Sequence, residues 1–232
     1  MISVCIATYN GASYIEEQVR SILGQLSSFD EVIISDDGSV DATLDIIESI
    51  NDSRIKIVQS TARNVSHNFQ NAILVSKGDY IFLADQDDVW MPNKVNIITA
   101  ALENYTLVCH DGFVVSSDKK LLYDSIHLKP KLKFIYNLVS NRTYTGCCMA
   151  FRRELLDYTL PFPRKEILHD WWIGLLADLY NVKRVYLDDK LILYRRHTDN
   201  VSSFRKSGLS VLVKLKLRFW VLTSIICRKQ EK

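Results

Sequence analysis

Apolar positions along the chain alternate between a strand-like run and a helix-like spacing, and that alternation sets the elements. Ile2 to Thr8 (ISVCIAT) is an apolar run of strand length, halted by Asn10 and Gly11. A helix follows, with Ser13 and Glu16 at capping-box spacing and Ile15, Val19, Ile22, Leu23 and Leu26 on one face. Glu31 to Ser35 is a second strand, broken by Asp36-Asp37-Gly38-Ser39, and Asp41 to Ile50 resumes helical spacing. Lys56 to Gln59 is a third strand. Ser66 to Ser76 is a helix with Gly78 just past its end, and Tyr80 to Ala84 is a fourth strand closed by Asp85. Pro92 is placed to open a further helix in its first turn.

Strands alternating with helices over the first hundred residues predict parallel β-α-β units, a doubly covered α/β sheet. Beyond Thr106 the alternation loosens. Thr106–His110, Cys147–Phe151, Val182–Leu187 and Leu191–Tyr194 read as strands, with helices near Leu155 and Trp171. No Pro/Gly/Ser-rich boundary separates the halves. The division expected is one domain over 1–204, a nucleotide-binding half (1–105) and an acceptor-side half (106–204), followed by a 205–232 tail.

Composition changes this picture little. Of 232 residues 47% are hydrophobic, with only 8 Gly and 4 Pro, so the chain has material for a core and none of the signs of disorder. Five cysteines with no C-x-x-C spacing read as reduced and buried, as in a cytosolic protein. No basic stretch followed by an apolar run opens the sequence, so no signal peptide is expected. Charge is more informative. From Arg205 onward eight Lys and Arg face one Glu, a net +7, whereas the preceding residues sum to −5.

Candidate chemistry sits at the predicted strand ends. Ligands of open parallel sheets bind beyond the carboxyl ends of the strands. Those ends carry Tyr9-Asn10-Gly11, Asp36-Asp37-Gly38-Ser39 and Asp85-Gln86-Asp87-Asp88. Neither G-x-G-x-x-G nor a P-loop occurs, so backbone amides alone are not expected to cradle phosphates. Carboxylates crowded there repel phosphate unless a hard divalent cation lies between them. Asp85, Asp87 and Asp88, directly after an apolar strand, are the stronger cluster. The D-D-G-S sequence is equally a good turn and helix start.

These residues carry a resemblance. Ala7-Thr8-Tyr9-Asn10-Gly11, Asp36-Asp37-Gly38-Ser39 with Asp41, and Ala84-Asp85-Gln86-Asp87-Asp88-Val89-Trp90 resemble the family-two inverting nucleotide-sugar glycosyltransferases of GT-A fold. D-Q-D-D-V-W is the specific motif among these, and it resembles the rhamnosyltransferase-like branch of bacterial surface-polysaccharide enzymes. Thr145-Gly146-Cys147, His169-Asp170-Trp171-Trp172 and Tyr194-Arg195-Arg196-His197 follow the same order, so the resemblance spans roughly residues 1 to 200. It implies a Rossmann-like, mostly parallel central sheet with helices on both faces. It implies that Thr8 and Tyr9, with Asn10 beside them, wall the nucleotide base, and that Asp37, with Asp36, meets base or ribose. Asp85 and Asp87 would be the D-x-D pair, Asp87 coordinating Mn²⁺ or Mg²⁺ and Asp88 positioning donor or acceptor. Asp170 would be the catalytic base and His197 would approach the metal or diphosphate. The donor expected is a UDP or dTDP sugar, hexosyl or rhamnosyl, and the acceptor a saccharide, lipid-linked or not, with no nucleic-acid partner. One segment departs: where the branch reads N-x-G-V-S-x-N-F, this chain has Ala62-Arg63-Asn64-Val65-Ser66-His67-Asn68-Phe69. Asn64 is expected to take over the left-handed turn from Gly, while a polar contact from position 62 is lost.

Inverting transfer passes through an oxocarbenium-like state. A cation neutralises the departing diphosphate and a base takes the acceptor proton. Asp170, beside Trp171 and Trp172, has an apolar wall that would raise its pKa and could stack on a sugar. The same residues could instead cap a helix and fill the core. A metal-dependent phosphohydrolase or nucleotidyltransferase, or a non-catalytic carbohydrate-binding protein, would share the carboxylates. The segment Leu209 to Cys227 is apolar but carries Lys214, Lys216 and Arg218, which makes a spanning helix expensive. An amphipathic interfacial helix at the cytoplasmic face of the membrane is the reading preferred over a partner-binding helix. The core is expected to stand without the residues after Ser207.

Overall fold

The structure is a computed structural model and describes residues 1–126, 134–139, 144–163, 167–197 and 211–230. Its first half is β1 (Ile2–Thr8), α1 (Ile15–Leu23), β2 (Glu31–Asp36), α2 (Thr43–Ser49), β3 (Ile55–Gln59), α3 (Val65–Val75) and β4 (Tyr80–Asp85). There follow β5 (Val89–Trp90), α4 (Lys94–Leu102), β6 (Leu107–Ser116), β7 (Leu121–Tyr123), α5 (Phe134–Val139), β8 (Met149–Arg152), α6 (Leu156–Thr159), α7 (His169–Leu179), β9 (Arg184–Arg196) and α8 (Val211–Gln230). The strands form one sheet in the order β3-β2-β1-β4-β8-β6-β9-β5, with β7 on β6. β3, β2, β1 and β4 are parallel; β8 lies antiparallel to both β4 and β6, and β9 runs parallel to β6.

Helices cover both faces, and the strand sequences show why. In β1, Val4 and Ile6 join one buried cluster with α1, α2 and α4, whereas Cys5 joins the other with α3 and α7. Likewise Phe82 and Ala84 of β4 face one layer, Ile81 and Leu83 the other. A strand buried on both sides reads as a continuous apolar run, which is the pattern of these segments.

Local signals were less reliable than periodicity. No side chain caps α1, so the Ser13–Glu16 box does not form; Gly11 O accepts from the amides of Tyr14 and Ile15 instead. Pro92 lies outside α4, which Asn93 precedes with a left-handed φ of 67°. Gly78 ends no helix in left-handed form: a Cβ there would stand 2.5 Å from the Ser3 amide nitrogen, so it is needed for close approach to β1. Val182–Leu187 and Leu191–Tyr194 are one strand, β9, carried past Asp188 and Asp189 by irregular pairing with β6. β6 itself runs past His110 because the Asp111 carboxylate is satisfied inside it by the Gly112 and Ile126 amides.

The basic C-terminal segment is built into this layer structure. Val221 and Ile225 of α8 are 0% and 7% exposed and belong to the α3–α7 cluster, and Arg218 Nε donates to Leu138 O of α5. The expectation that the core stands without this segment therefore changes. Deleting all residues after Ser207 removes two buried aliphatic side chains, each contributing about 1.5–3 kcal/mol. The truncated chain is expected to unfold at a clearly lower urea concentration. Equal urea midpoints would show that α8 only rests on the domain.

Candidate active site

Three parallel strands end level. Thr8 pairs with Asp36 and Ala7 with Asp85, so the loops after β1, β2 and β4 leave the sheet at one edge. Gln86 ties two of them together. Its Oε1 accepts from Thr8 Oγ1 (2.6 Å) and the Tyr9 amide (2.9 Å), and its Nε2 donates to Tyr9 O (3.1 Å). Gly11 leaves room for that carboxamide, since a Cβ would stand 2.4 Å from Gln86 Oε1. Asn10, at φ 48°, ties the same loop to the next: its amide donates to Ser39 Oγ and its Oδ1 accepts from the Val40 amide, both at 2.9 Å. Thr8 is buried and bonded and fixes the loop; Tyr9 is 55% exposed at the rim.

The carboxylates of β2 are also spent on structure. Asp36 is fully buried, and its Oδ2 accepts from the Gly38 and Ser39 amides at 3.0 and 2.9 Å. Both oxygens build the turn, Oδ1 accepting from Ser39 Oγ. Asp37 accepts from the amides of Arg63 and Asn64 (both 2.9 Å) and from Ser60 Oγ (3.1 Å), and so holds the atypical loop. Within that loop Arg63, not Asn64, takes the left-handed turn at φ 46°. Asn64 is extended and caps α3, its Oδ1 accepting from the amides of Ser66 and His67. A side chain that can cap a helix start gains more there than in a left-handed turn.

The acidic cluster after β4 is where charge enters the interior. Asp88 is fully buried; its Oδ1 accepts from the Arg195 amide at 2.9 Å, and its Oδ2 has no hydrogen-bond partner among the described residues. Through Oδ1, Asp88 anchors the end of β9. Burial, with the charges of Asp87 and Asp85, pushes its pKa well above the ordinary carboxylate range. Asp85 is raised to about 7, by burial first and then by Asp87 and Asp170. Behind them lies Lys94, also buried, donating to Cys147 O at 3.0 Å and standing 4.3 Å over the Trp90 ring; burial lowers its pKa to about 8. Sequence reading passed over Lys94, though its spacing with Ile98 and Leu102 put it on the inward face of α4.

His197 and Asp87 meet. His197 Nε2 lies 2.7 Å from Asp87 Oδ2, and the imidazole stands 4.7 Å from the Tyr14 ring. The ring is aimed by its neighbour: Arg195 donates to Glu17 (2.7 Å), and its guanidinium lies 4.8 Å over the same Tyr14 ring. Opposite, Asp170 lies in the first turn of α7, whose N-cap is Leu168. Its Oδ1 accepts from the Trp171 amide (2.6 Å) and its Oδ2 from the Gly146 amide (3.2 Å). Burial raises its pKa to about 6. Trp171 and Trp172 are both core, donating to Asn137 O and Thr159 O, so neither offers a face to a sugar. Gly146 lies against His169, whose Nε2 would be 2.6 Å from an added Cβ. Next to Gly146, Cys147 Sγ lies within 4.8 Å of carboxylate oxygens of Asp85 and Asp88. Two consecutive residues thus connect the Asp170 carboxylate to the acidic cluster.

The family model described as Glycosyl transferase family 2 matches residues 3–160. The chain belongs to glycosyltransferase family 2. This glycosyltransferase is 30% identical over 214 residues to a Shigella flexneri protein named dTDP-rhamnosyl transferase RfbG, covering 84% of this chain and 72% of that one. It is 38% identical over 205 residues to an Escherichia coli protein named UDP-Glc:alpha-D-GlcNAc-diphosphoundecaprenol beta-1,3-glucosyltransferase WfaP, covering 88% and 80%. In fold it matches the crystal structure of S. aureus TarS 1-349 in complex with UDP-GlcNAc, at a TM-score of 0.75 and 18% identity. That match covers 96% of this chain and 65% of the TarS chain. The GT-A architecture is therefore shared, and the phosphohydrolase and nucleotidyltransferase readings are set aside.

The residues present fit a divalent cation. Asp88 Oδ2 is a buried oxygen without a partner among the described residues, and Asp85 and Asp88 offer oxygens close together. Cys147 completes that triad, but a hydrogen bond with Cys148 and burial hold its thiol well above its ordinary range, and a hard ion takes oxygen in preference. Carboxylates with raised pKa retain protons that the unfolded chain has released. Between about pH 4 and 7 the folded form binds more protons, so in chelator its stability falls as pH rises. Asp85→Asn is expected to raise the thermal midpoint at pH 8 and to flatten that decline. A pH profile identical to wild type would show that the carboxylate is not penalised by burial.

Proposed function

We propose that this glycosyltransferase moves a hexosyl or rhamnosyl unit from a UDP or dTDP sugar to a saccharide acceptor with inversion at the anomeric carbon. The acceptor is taken to be free or lipid-linked, presented at the cytoplasmic face of the membrane during surface-polysaccharide assembly. The named relatives, a dTDP-rhamnosyl transferase and a UDP-glucose transferase acting on a diphosphoundecaprenol-linked sugar, support these classes. The observation that carries the reading is the pair of acidic groups joined through Gly146 and Cys147: a cation-fit cluster on one side, a raised carboxylate on the other.

Asp87 and His197 would hold Mn²⁺ or Mg²⁺ beside the oxygens of Asp85 and Asp88. Such an ion, when bound, screens the charge that grows on the departing diphosphate. Tyr9, exposed at the rim, supplies the ring against the nucleotide base, and Asn10 shapes that rim from beneath. Asp37 and Asp36 serve the donor indirectly, by fixing the loops on either side. Asp170 takes the acceptor proton: two amides hold its oxygens, and its pKa of about 6 makes it a stronger base than a solvated Asp while leaving it ionised at neutral pH. The departure of a proton to Asp170 and attack of the acceptor oxygen opposite the diphosphate invert the sugar configuration.

Donor binding is expected to need a divalent cation. Isothermal titration in EDTA should show none, Mn²⁺ or Mg²⁺ should restore it, and Asp87→Ala should abolish binding and turnover together. Full transfer in chelator would overturn the metal assignment.

Asp170→Asn is expected to bind the nucleotide sugar as wild type does and to lower kcat at least ~100-fold, the scale of a lost general base. In wild type, kcat/KM should rise with pH through about 6, where Asp170 loses its proton, and then level off. A near-normal kcat in the variant, with an unchanged pH profile, would move the base elsewhere.

A further inference from the structure

Helix α8 has two apolar faces, and only one packs on the fold among the described residues. Val221 and Ile225 enter the α3–α7 cluster, and Trp220 packs partly against it. Leu215, Phe219, Leu222 and Ile226 are instead 56%, 57%, 41% and 57% exposed. Their spacing of four, three and four residues places them in one stripe along the helix. Isolated exposed leucines are ordinary, but four large apolar side chains in a row mark a contact surface. Over eleven residues the stripe runs for about 16 Å at 1.5 Å per residue.

We propose that this stripe is the surface by which the enzyme lies on an anionic phospholipid bilayer. Two observations favour a bilayer over other occupants. The first is charge. Residues from Arg205 onward carry a net +7, and Lys216 is exposed beside the stripe. A second copy docked on the same face would oppose two such segments, whereas anionic headgroups complement one. The second is length. The stripe is too short for the roughly 30 Å of a hydrocarbon core, and among the described residues no helix is long and apolar enough to cross a membrane. A short apolar stripe bordered by Lys sinks its leucines below the headgroups and leaves its ammonium groups among them.

The placement suits the acceptor. Arg218 ties α8 to Leu138 of α5, and Trp171 of α7 donates to Asn137 O of the same helix. The helix whose first turn holds Asp170 is thus braced, through α5, on the element that carries the stripe. The docking surface rests on the acceptor reading only for this benefit; its evidence is α8 alone.

The test measures partition of the purified full chain onto vesicles of mixed phosphatidylglycerol and phosphatidylcholine, and onto phosphatidylcholine alone. Wild type should prefer the anionic vesicles, and added salt should weaken the preference. Leu215→Ser, Phe219→Ser, Leu222→Ser and Ile226→Ser combined should lower partition at least tenfold while urea midpoint and nucleotide-sugar affinity stay unchanged. Should that combination unfold the chain, Leu222→Glu alone is expected to weaken partition in the same direction. Equal partition of wild type and variant, or no preference for anionic vesicles, overturns the proposal. So does a wild-type dimer in sedimentation velocity that the Ser variant dissociates, which would assign the stripe to a second copy. Because vesicle binding and donor affinity are read separately, failure of one leaves the other standing.

Discussion

The site depends on keeping carboxylates where the sheet has little water. β4 delivers Asp85 to the sheet edge, and the turn after it folds Asp88 fully inside. An isolated ionised carboxylate in such surroundings is strongly disfavoured. The molecule answers with Lys94 behind the cluster, the Arg195 amide on Asp88 and protons retained at raised pKa. Each answer also fixes geometry. Holding Arg195 positions His197 two residues later, and Lys94 bonded to Cys147 O fixes the turn whose Gly146 amide holds Asp170. Charge burial and catalytic placement are therefore one arrangement, and a cation held by the cluster would relieve the repulsion among its carboxylates.

How far this was legible in the sequence follows from which signals are periodic. Strands β1, β2 and β4 were readable because each is buried on both faces and carries an apolar run, whereas β3, at the sheet edge, is only partly buried. Their carboxyl ends followed directly, and with them the acidic cluster. The second half resisted for physical reasons. β8 is four residues long and entered from a short helical turn, while β9 carries Asp188 and Asp189 through its middle without breaking. The reading of Cys147–Phe151 therefore starts two residues early, and β9 reads as two strands, Val182–Leu187 and Leu191–Tyr194.

Side-chain roles were less legible than positions. Asp36, Asp37 and Thr8 lie at the sheet edge, yet all three spend their side-chain oxygens on backbone or neighbouring side chains, and Asp88 spends one of its two on the Arg195 amide. A sequence motif records that a residue is needed at a site; it does not distinguish touching the ligand from holding the loop that does. Gln86 shows the converse. It sits between two aspartates and reads as a spacer, but its carboxamide joins the β1 and β4 loops through three hydrogen bonds. Trp171 and Trp172 beside Asp170 suggested a sugar platform, and their indole N–H groups bond inward instead.

The same reasoning explains why the atypical loop at 60–64 does not disturb its surroundings. Its path is held through main-chain amides: Ala62 to Ser60 Oγ, Arg63 and Asn64 to the Asp37 carboxylate. An amide is supplied by any residue except proline, so the Asp37 anchor is indifferent to the side chains at 62 to 64. The one constraint is the left-handed turn at Arg63, which costs a non-glycine residue up to about 2 kcal/mol. Asn64 offsets part of it by capping α3 with two hydrogen bonds. Because anchor and cap act on the backbone, the loop can change its side chains without moving its path. What such changes alter is the chemistry that the loop presents beside the β2 turn, while Asp85, Asp87 and Asp170 stay where the sheet and α7 put them.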